Sequence, residues 1–293
     1  MEQIGSHFKQ RQTITSNGKI ISIAKPMVMG IVNVTNDSFF SASRFRFGYT
    51  IARRAEQILS EGGAIIDVGA CSTRPGAMVV SEELELKRLS KSLNAIKKKF
   101  PEAIVSVDTF RANVARKMVE DFGANIINDI SAGEMDAKMF ETIAELKVPY
   151  ILMHMKGTPD NMQQNPTYNN VIKEIFIYFN EKIEKLKRLG VNDIIIDPGF
   201  GFGKTIEHNY TILKNLNAFR LFELPILAGV SRKSMIYKSL NTNPEKALNG
   251  TSVLNTIALN NGATILRVHD VKEAVETIKL LELTQKQPDF QYL

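Results

Sequence analysis

"DPGFGFGKTIEHN" (residues 197–209) allows two readings, and the fold depends on the choice. Gly199, Gly201 and Gly203 fall at every second position and Lys204-Thr205 follow, as in the phosphate-cradling loop that opens a nucleotide-binding domain. Such a loop needs glycine five positions before its Gly-Lys pair, and Pro198 stands there. The segment also follows a short apolar run, "DIIID" (193–197), two thirds of the way along the chain. It reads as the end of a strand and the turn beyond it.

The same pattern recurs. The runs "MVMGIVNV" (27–34), "AIIDVG" (64–69), "AIVSVD" (103–108), "NIINDI" (125–130), "PYILMH" (149–154), "DIIIDPG" (193–199), "PILAGV" (225–230) and "TILRVH" (264–269) bear almost no charge until their last residues. That marks strands covered on both faces, hence parallel strands with helices outside. Amphipathic stripes lie between them. Ile51, Ala55, Ile58 and Leu59 share one helical face before Gly62-Gly63, and Val114, Met118 and Val119 do so before Gly123. Val171, Ile175, Phe179, Ile183 and Leu186 form a longer stripe that stops at Gly190, and Val271, Ala274, Val275 and Ile278 form the last.

Eight strand–helix units in 293 residues fit an α/β fold of the (β/α)8 TIM-barrel type, with a doubly wound open sheet as the alternative. "QTITSNGKIISI" alternates around Asn17-Gly18 and predicts a hairpin within residues 1–25 that covers the N-terminal mouth of the barrel. The chain reads as one domain over 1–293, with residues 282–293 as a loosely held tail.

Composition narrows the function. Apolar residues make up 44% and charged residues 23%, as in ordinary globular proteins. The single cysteine, Cys71, excludes an internal disulfide framework and a cysteine-based zinc cluster. The polar N-terminus has no apolar core of a secretory signal, and no apolar run approaches a membrane span, so a cytoplasmic enzyme is expected. The net charge of +6 reads as lysines on helix faces, as at 97–100 and 181–190. Aromatics are not interleaved with a basic stripe, which argues against nucleic acid as a partner.

In a barrel the site lies at the C-terminal ends of the strands, and the polar residues concentrate there. They are Asn33, Asp67, Asp108, Asn128, Asp129, His154, Asp197, then Arg232 and Lys233, and finally Arg267 and His269. One such residue could be a helix cap, but residues at every strand end imply a converging site. Carboxylates and an amide from the second, third, fourth and sixth strands suit a ligand with a row of N–H donors, such as an amino-pyrimidinone. Cations after the seventh and eighth suit phosphate. The sequence therefore expects one ligand with a donor-rich heterocycle at one end and phosphate at the other.

The motifs "MGIVNVTNDSF" (29–39), "IIDVGACSTRPGA" (65–77), "VSVDT" (105–109), "NIINDI" (125–130), "LMHMKGTP" (152–159), "DPGFGFGK" (197–204), "GVSRKSMI" (229–236) and "RVHDVKE" (267–273) closely resemble the dihydropteroate synthase family of the folate pathway. The match runs in order from about residue 27 to 280. The resemblance implies condensation of 6-hydroxymethyl-7,8-dihydropterin pyrophosphate with p-aminobenzoate, with pyrophosphate leaving and Mg2+ bound to it. It also implies a sulfonamide target and a homodimer formed through late helices.

The resemblance places Asp108, Asn128, Asp197 and Lys233 in a pterin pocket, with Met153 and Phe202 near the rings. It places Asn33, Arg267 and His269 at the pyrophosphate, with Asn33 as the metal ligand. Asp37, Phe39, Thr73, Arg74, Pro75 and Ser234 match the mobile loops and the p-aminobenzoate site. Asp37, Arg74, Lys233, Arg267 and His269 are the implied catalytic set. Two loops depart from the family pattern on the p-aminobenzoate side. Asn36 replaces a proline ahead of "SASRFRFG" (41–48), and Ala70-Cys71 replace Gly-Glu.

Cys71 reads as a small loop residue rather than a nucleophile, His7 and His208 as surface residues, and His154 as structural. Lys204 is left without a role. The rival readings are a methyltetrahydrofolate methyltransferase-type barrel and a non-catalytic pterin-binding paralogue.

Overall fold

The computed structural model describes residues 12–16, 18–34, 44–71 and 80–287, with the backbone alone over 44–47. Strands β1 (Thr13–Ser16) and β2 (Lys19–Ser22) form the expected antiparallel hairpin, with Ser16 opposite Lys19. The other eight strands are β3 (Met27–Asn33), β4 (Ile65–Gly69), β5 (Ile104–Asp108), β6 (Ile126–Asp129), β7 (Tyr150–Met153), β8 (Ile194–Asp197), β9 (Leu227–Ala228) and β10 (Ile265–Val268). They pair in parallel in the order β8-β7-β6-β5-β4-β3-β10-β9, and a bridge between Ile196 and Ile226 closes the ring. The barrel reading holds, and the open sheet does not.

Helices α1 (Arg44–Ser60), α2 (Glu82–Lys99), α3 (Ala112–Glu120), α4 (Met139–Leu146), α5 (Val171–Arg188), α6 (Ile206–Lys214), α7 (Ser234–Tyr237), α8 (Leu248–Asn260) and α9 (Val271–Gln285) follow the barrel strands. The stripes read from the sequence face inward: Ile51, Ala55 and Ile58 on α1, and Val171, Ile175, Phe179, Ile183 and Leu186 on α5, are buried in one large cluster between helices and sheet. Helix α9 runs on to Gln285, past residue 282 where the tail was expected to begin. Among the described residues, no helix is long and apolar enough to cross a membrane.

Inside the barrel, strand alternation does the sorting. Met29, Ile65, Ile104, Ile126, Ile151, Ile195, Leu227 and Ile265 give one residue from each strand to an apolar layer. Ile14 and Ile23, from the hairpin and the segment after it, close this layer from below at 0% and 2% exposure. The hairpin is thus a plug in the N-terminal mouth. Ile14→Ala is expected to cost about 2–5 kcal/mol, read as a lowered urea midpoint, because the plug cannot collapse onto a rigid barrel floor.

Candidate active site

Two residues further along four of the strands, the inner face turns polar. Asp67 follows Ile65, Asn128 follows Ile126, Asp197 follows Ile195 and Arg267 follows Ile265, while Asp108 lies two inner positions above Ile104. A polar layer therefore sits directly on an apolar floor, and the period of the strand puts it there.

Arg267 is its centre. Its Nε donates to Asp67 at 2.7 Å and its Nη2 to Asp108 at 3.1 Å. Asp67 is fully buried and also accepts from Asn128 Nδ2 at 3.3 Å. Burial pushes the Asp108 pKa up to about 7 against the pull of Arg267, and neighbouring Asp67 adds to the rise. Arg267 keeps its charge: burial opposes it, but Asp67 and Asp108 together hold its pKa above the usual value.

Asp197 is buried and accepts the backbone N–H of Gly199 at 2.7 Å. Burial raises its pKa, opposed by Lys233 and by that N–H. Lys233 lies 4.8 Å from the centre of the Phe202 ring and donates to the carbonyl of Phe200. Burial lowers the Lys233 pKa to about 8, with Asp197 acting to raise it. Phe110, Ile130, Met153, Met155 and Met162 make a separate buried apolar cluster with Phe202 packed on it. The site thus has a carboxylate row, two cations and one soft apolar wall.

At the rim, His269 Nδ1 lies 3.1 Å from Ser231 Oγ, and the His269 carbonyl accepts from Arg54 at 2.6 Å. Desolvation and then Arg267 lower the imidazole pKa to about 4, so the ring is neutral at pH 7. Asn33 ends β3 with its side chain exposed. Ser234 opens α7, half-buried. Asp37, Phe39, Thr73, Arg74 and Pro75 lie outside the described residues, as do His7, Asn36 and positions 41–43.

Three of the polar strand-end residues do not converge. Asp129 has the opposite parity to Asn128 and turns away, accepting from Tyr150 Oη at 2.7 Å and from Ser131 and Gly133. His154 likewise lies outside the polar layer, edge-on to Tyr178 at 4.8 Å, which bears out its structural reading. Arg232 is consumed by Asp270, with two bonds of 2.8 Å, and by the carbonyls of Pro244 and Glu245, so it is no free phosphate cation. His208 is not merely a surface residue either, because it completes a capping box with Thr205 at the start of α6. The Cys71 thiol is pushed up to about 12 by burial and then by Glu85, which fits a loop residue and not a nucleophile.

The glycines of the opening motif meet a tighter constraint than a sharp turn. Gly199 and Gly203 have φ of 72° and 63°, and a Cβ on either would overlap a carbonyl oxygen, that of His154 or of Lys156. The turn after β8 is packed backbone to backbone against the loop after β7.

Residues 29–269 match the family model described as "Pterin binding enzyme". The chain belongs to the pterin-binding enzyme family. Within it, the chain groups with the dihydropteroate synthases, transferases of folate synthesis. It is 43% identical over 272 residues to the dihydropteroate synthase of Escherichia coli (strain K12), covering 92% of this chain and 95% of that one. Identity to the Haemophilus influenzae dihydropteroate synthase is 38%, over 92% of this chain and 98% of the relative.

Among solved structures, the Yersinia pestis dihydropteroate synthase with a sulfonamide drug complex superposes with a TM-score of 0.86 at 39% identity, covering 94% of this chain and all (100%) of that one. The Xanthomonas albilineans dihydropteroate synthase with 4-aminobenzoic acid gives 0.87 at 34% identity, with 94% and 99% covered. A pterin-binding family accounts for a buried carboxylate row beside cations, because a pterin edge is a row of N–H donors.

Proposed function

We propose that the chain condenses 6-hydroxymethyl-7,8-dihydropterin pyrophosphate with p-aminobenzoate to give 7,8-dihydropteroate and pyrophosphate. The observation that carries the reading is the polar layer over one apolar floor, in which Asp67, Asp108, Asn128 and Asp197 gather acceptors around the cations Arg267 and Lys233.

Asp197 accepts the forked N–H donors of the amino-pyrimidinone edge, and Asn128 and Asp108 take the rest of the donor row. Met153, Phe202 and, beside them, Ile130 and Met155 cover the ring faces. Lys233 bridges the ring to the rim. When the methylene C–O bond breaks, the electron pair leaves with the diphosphate, and positive charge at carbon spreads into the electron-rich ring. Arg267 and the N–H donor of neutral His269 face the charge that grows on the leaving group, the larger electrostatic task. Asp37 is assigned to the developing cation. The arylamine needs no strong base, since its nitrogen attacks as a neutral nucleophile and sheds its proton afterwards.

Phe39, Thr73, Arg74, Pro75 and Ser234 are assigned to p-aminobenzoate. Asn33 offers a single neutral oxygen at the rim, which fits Mg2+ carried on the diphosphate rather than held in a protein cage. When bound, Mg2+ would neutralise diphosphate charge. Bond breaking ahead of amine attack would show as exchange of labelled pyrophosphate into the pterin substrate without amine.

Val253, Ile257, Leu280 and Leu283 on α8 and α9 are large apolar residues 38–66% exposed, which supports a homodimer through these helices. A cytoplasmic location is part of the same proposal. The aryl half is tested by titration with a sulfonamide, which should compete with p-aminobenzoate and not with the pterin substrate. Inhibition competitive with the pterin instead would count against the assignment.

The lysine gives a pH test. Its folded pKa of about 8 lies below the ordinary 10.5, so the cation is lost as pH rises through 8. The second-order rate constant for the pterin substrate should fall across that limb, and Lys233→Met should abolish the limb along with most of the activity.

A further inference from the structure

Lys204 is 3% exposed and makes no ion pair with any of the described residues. Its ammonium meets four acceptors: the carbonyls of Gly199 and Phe202, both at 2.9 Å, the carbonyl of His154 at 3.2 Å, and His154 Nδ1 at 2.9 Å. The first two belong to the turn after β8 and the last two to the loop after β7. Burial lowers the Lys204 pKa well below the usual lysine value, with Asp197 acting to raise it, and the facing His154 ring is neutral whichever tautomer it holds. Burial and then Lys204 hold the imidazole pKa at about 2, which agrees.

Both loops carry walls of the site. The turn after β8 holds Phe202 and the carbonyl of Phe200 that receives Lys233, and it is bonded to Asp197 through Gly199 N–H. The loop after β7 holds Met155 and Met162. Lys204 grips the turn from behind while Lys233 grips it from inside. Burying a lysine against neutral acceptors, with Asp197 as its nearby carboxylate, is costly, and a single strand-capping bond would not require it.

We propose that Lys204 is a positioning residue for the pterin pocket, locking the Asp197–Phe202 turn to the Met155–Met162 loop at one fixed separation. The inference rests on the pterin reading above and adds a determinant to it. A methionine of similar length would leave the Phe202 and His154 carbonyls and the imidazole nitrogen without the lysine donor, and the Gly199 carbonyl with the Phe202 N–H alone, and the two walls would part.

The test is the dissociation constant of 6-hydroxymethylpterin, read by fluorescence, for the wild type and Lys204→Met, beside the melting temperature and both substrate KM values. Pterin affinity should weaken about tenfold or more, because displacing the groups that orient a site costs about that much. KM for p-aminobenzoate should move less than about threefold, since the clamp joins only the turn after β8 and the loop after β7. A lowered melting temperature with unchanged pterin affinity would overturn the proposal and leave Lys204 a stability element only.

Should Lys204→Met not fold, His154→Leu removes one acceptor and keeps the lysine. It should weaken the pterin by about threefold, the loss expected for one hydrogen bond, and unchanged affinity would again overturn the proposal. A wild type that binds the pterin but makes no dihydropteroate would remove the synthase reading and leave this comparison intact. A wild type that binds no pterin overturns both.

Discussion

Arg267→Met should lower the turnover number by about a thousandfold or more, because it removes the donor proposed to stabilise the departing diphosphate. It should also destabilise the barrel. Asp67 is fully buried and Asp108 nearly so, and the guanidinium is the cation that both share. Breaking a buried pair by removing one partner costs about 3–5 kcal/mol. The loss should depend on pH in a fixed direction. A buried carboxylate has a folded pKa above its unfolded value, as Asp108 does at about 7 against 3.8. The folded state then holds the extra proton, so stability is present at low pH and is lost as pH rises through the folded pKa. Without Arg267 this pKa rises further. Urea midpoints for the variant should therefore lie closer to wild type at pH 5.5 than at pH 8. A midpoint gap that widens on acidification would contradict the shared-cation account.

Asp197→Asn should act on affinity and chemistry with little effect on stability. The amide oxygen can still accept the Gly199 N–H, so the turn keeps its anchor. The other half of the group changes from acceptor to donor and would then oppose the donors of the pterin edge proposed to bind there. Sites built around buried hydrogen bonds discriminate by about ten-thousandfold against a missing partner, so kcat/KM for the pterin substrate should drop by about a thousandfold or more. KM for p-aminobenzoate, measured with the pterin near saturation, should stay close to wild type. A drop of less than about tenfold in kcat/KM would show that another group holds the amino-pyrimidinone.

Most of the barrel was legible because its strands are nearly free of charge until their ends, a pattern that parallel strands under helices require. The carboxylates at those ends were legible for the same reason. What was lost was parity. Ile130 and Met155 lie two residues beyond Asn128 and Met153 and share their inward face, so counting by twos would have found them. The same count separates Asp129 and His154 from the site, although both stand at strand ends.

Arg232 and Arg267 looked alike in sequence, and only contacts over long separations tell them apart. One is spent on Asp270 and two carbonyls, the other on carboxylates reaching in from distant strands. Lys204 offered no signal at all. A buried lysine on carbonyls is recognised only once the turn after β8 and the loop after β7 are seen against each other.

The most direct test of the account is the stoichiometry of products from the purified chain. With 6-hydroxymethyl-7,8-dihydropterin pyrophosphate, p-aminobenzoate and Mg2+, pyrophosphate and 7,8-dihydropteroate should form in equal amounts, and Asp197→Asn and Arg267→Met should suppress both together. A chain that binds the pterin yet releases no pyrophosphate and forms no dihydropteroate when the amine is supplied would contradict the central claim, and would leave a pterin-binding barrel without the synthase reaction.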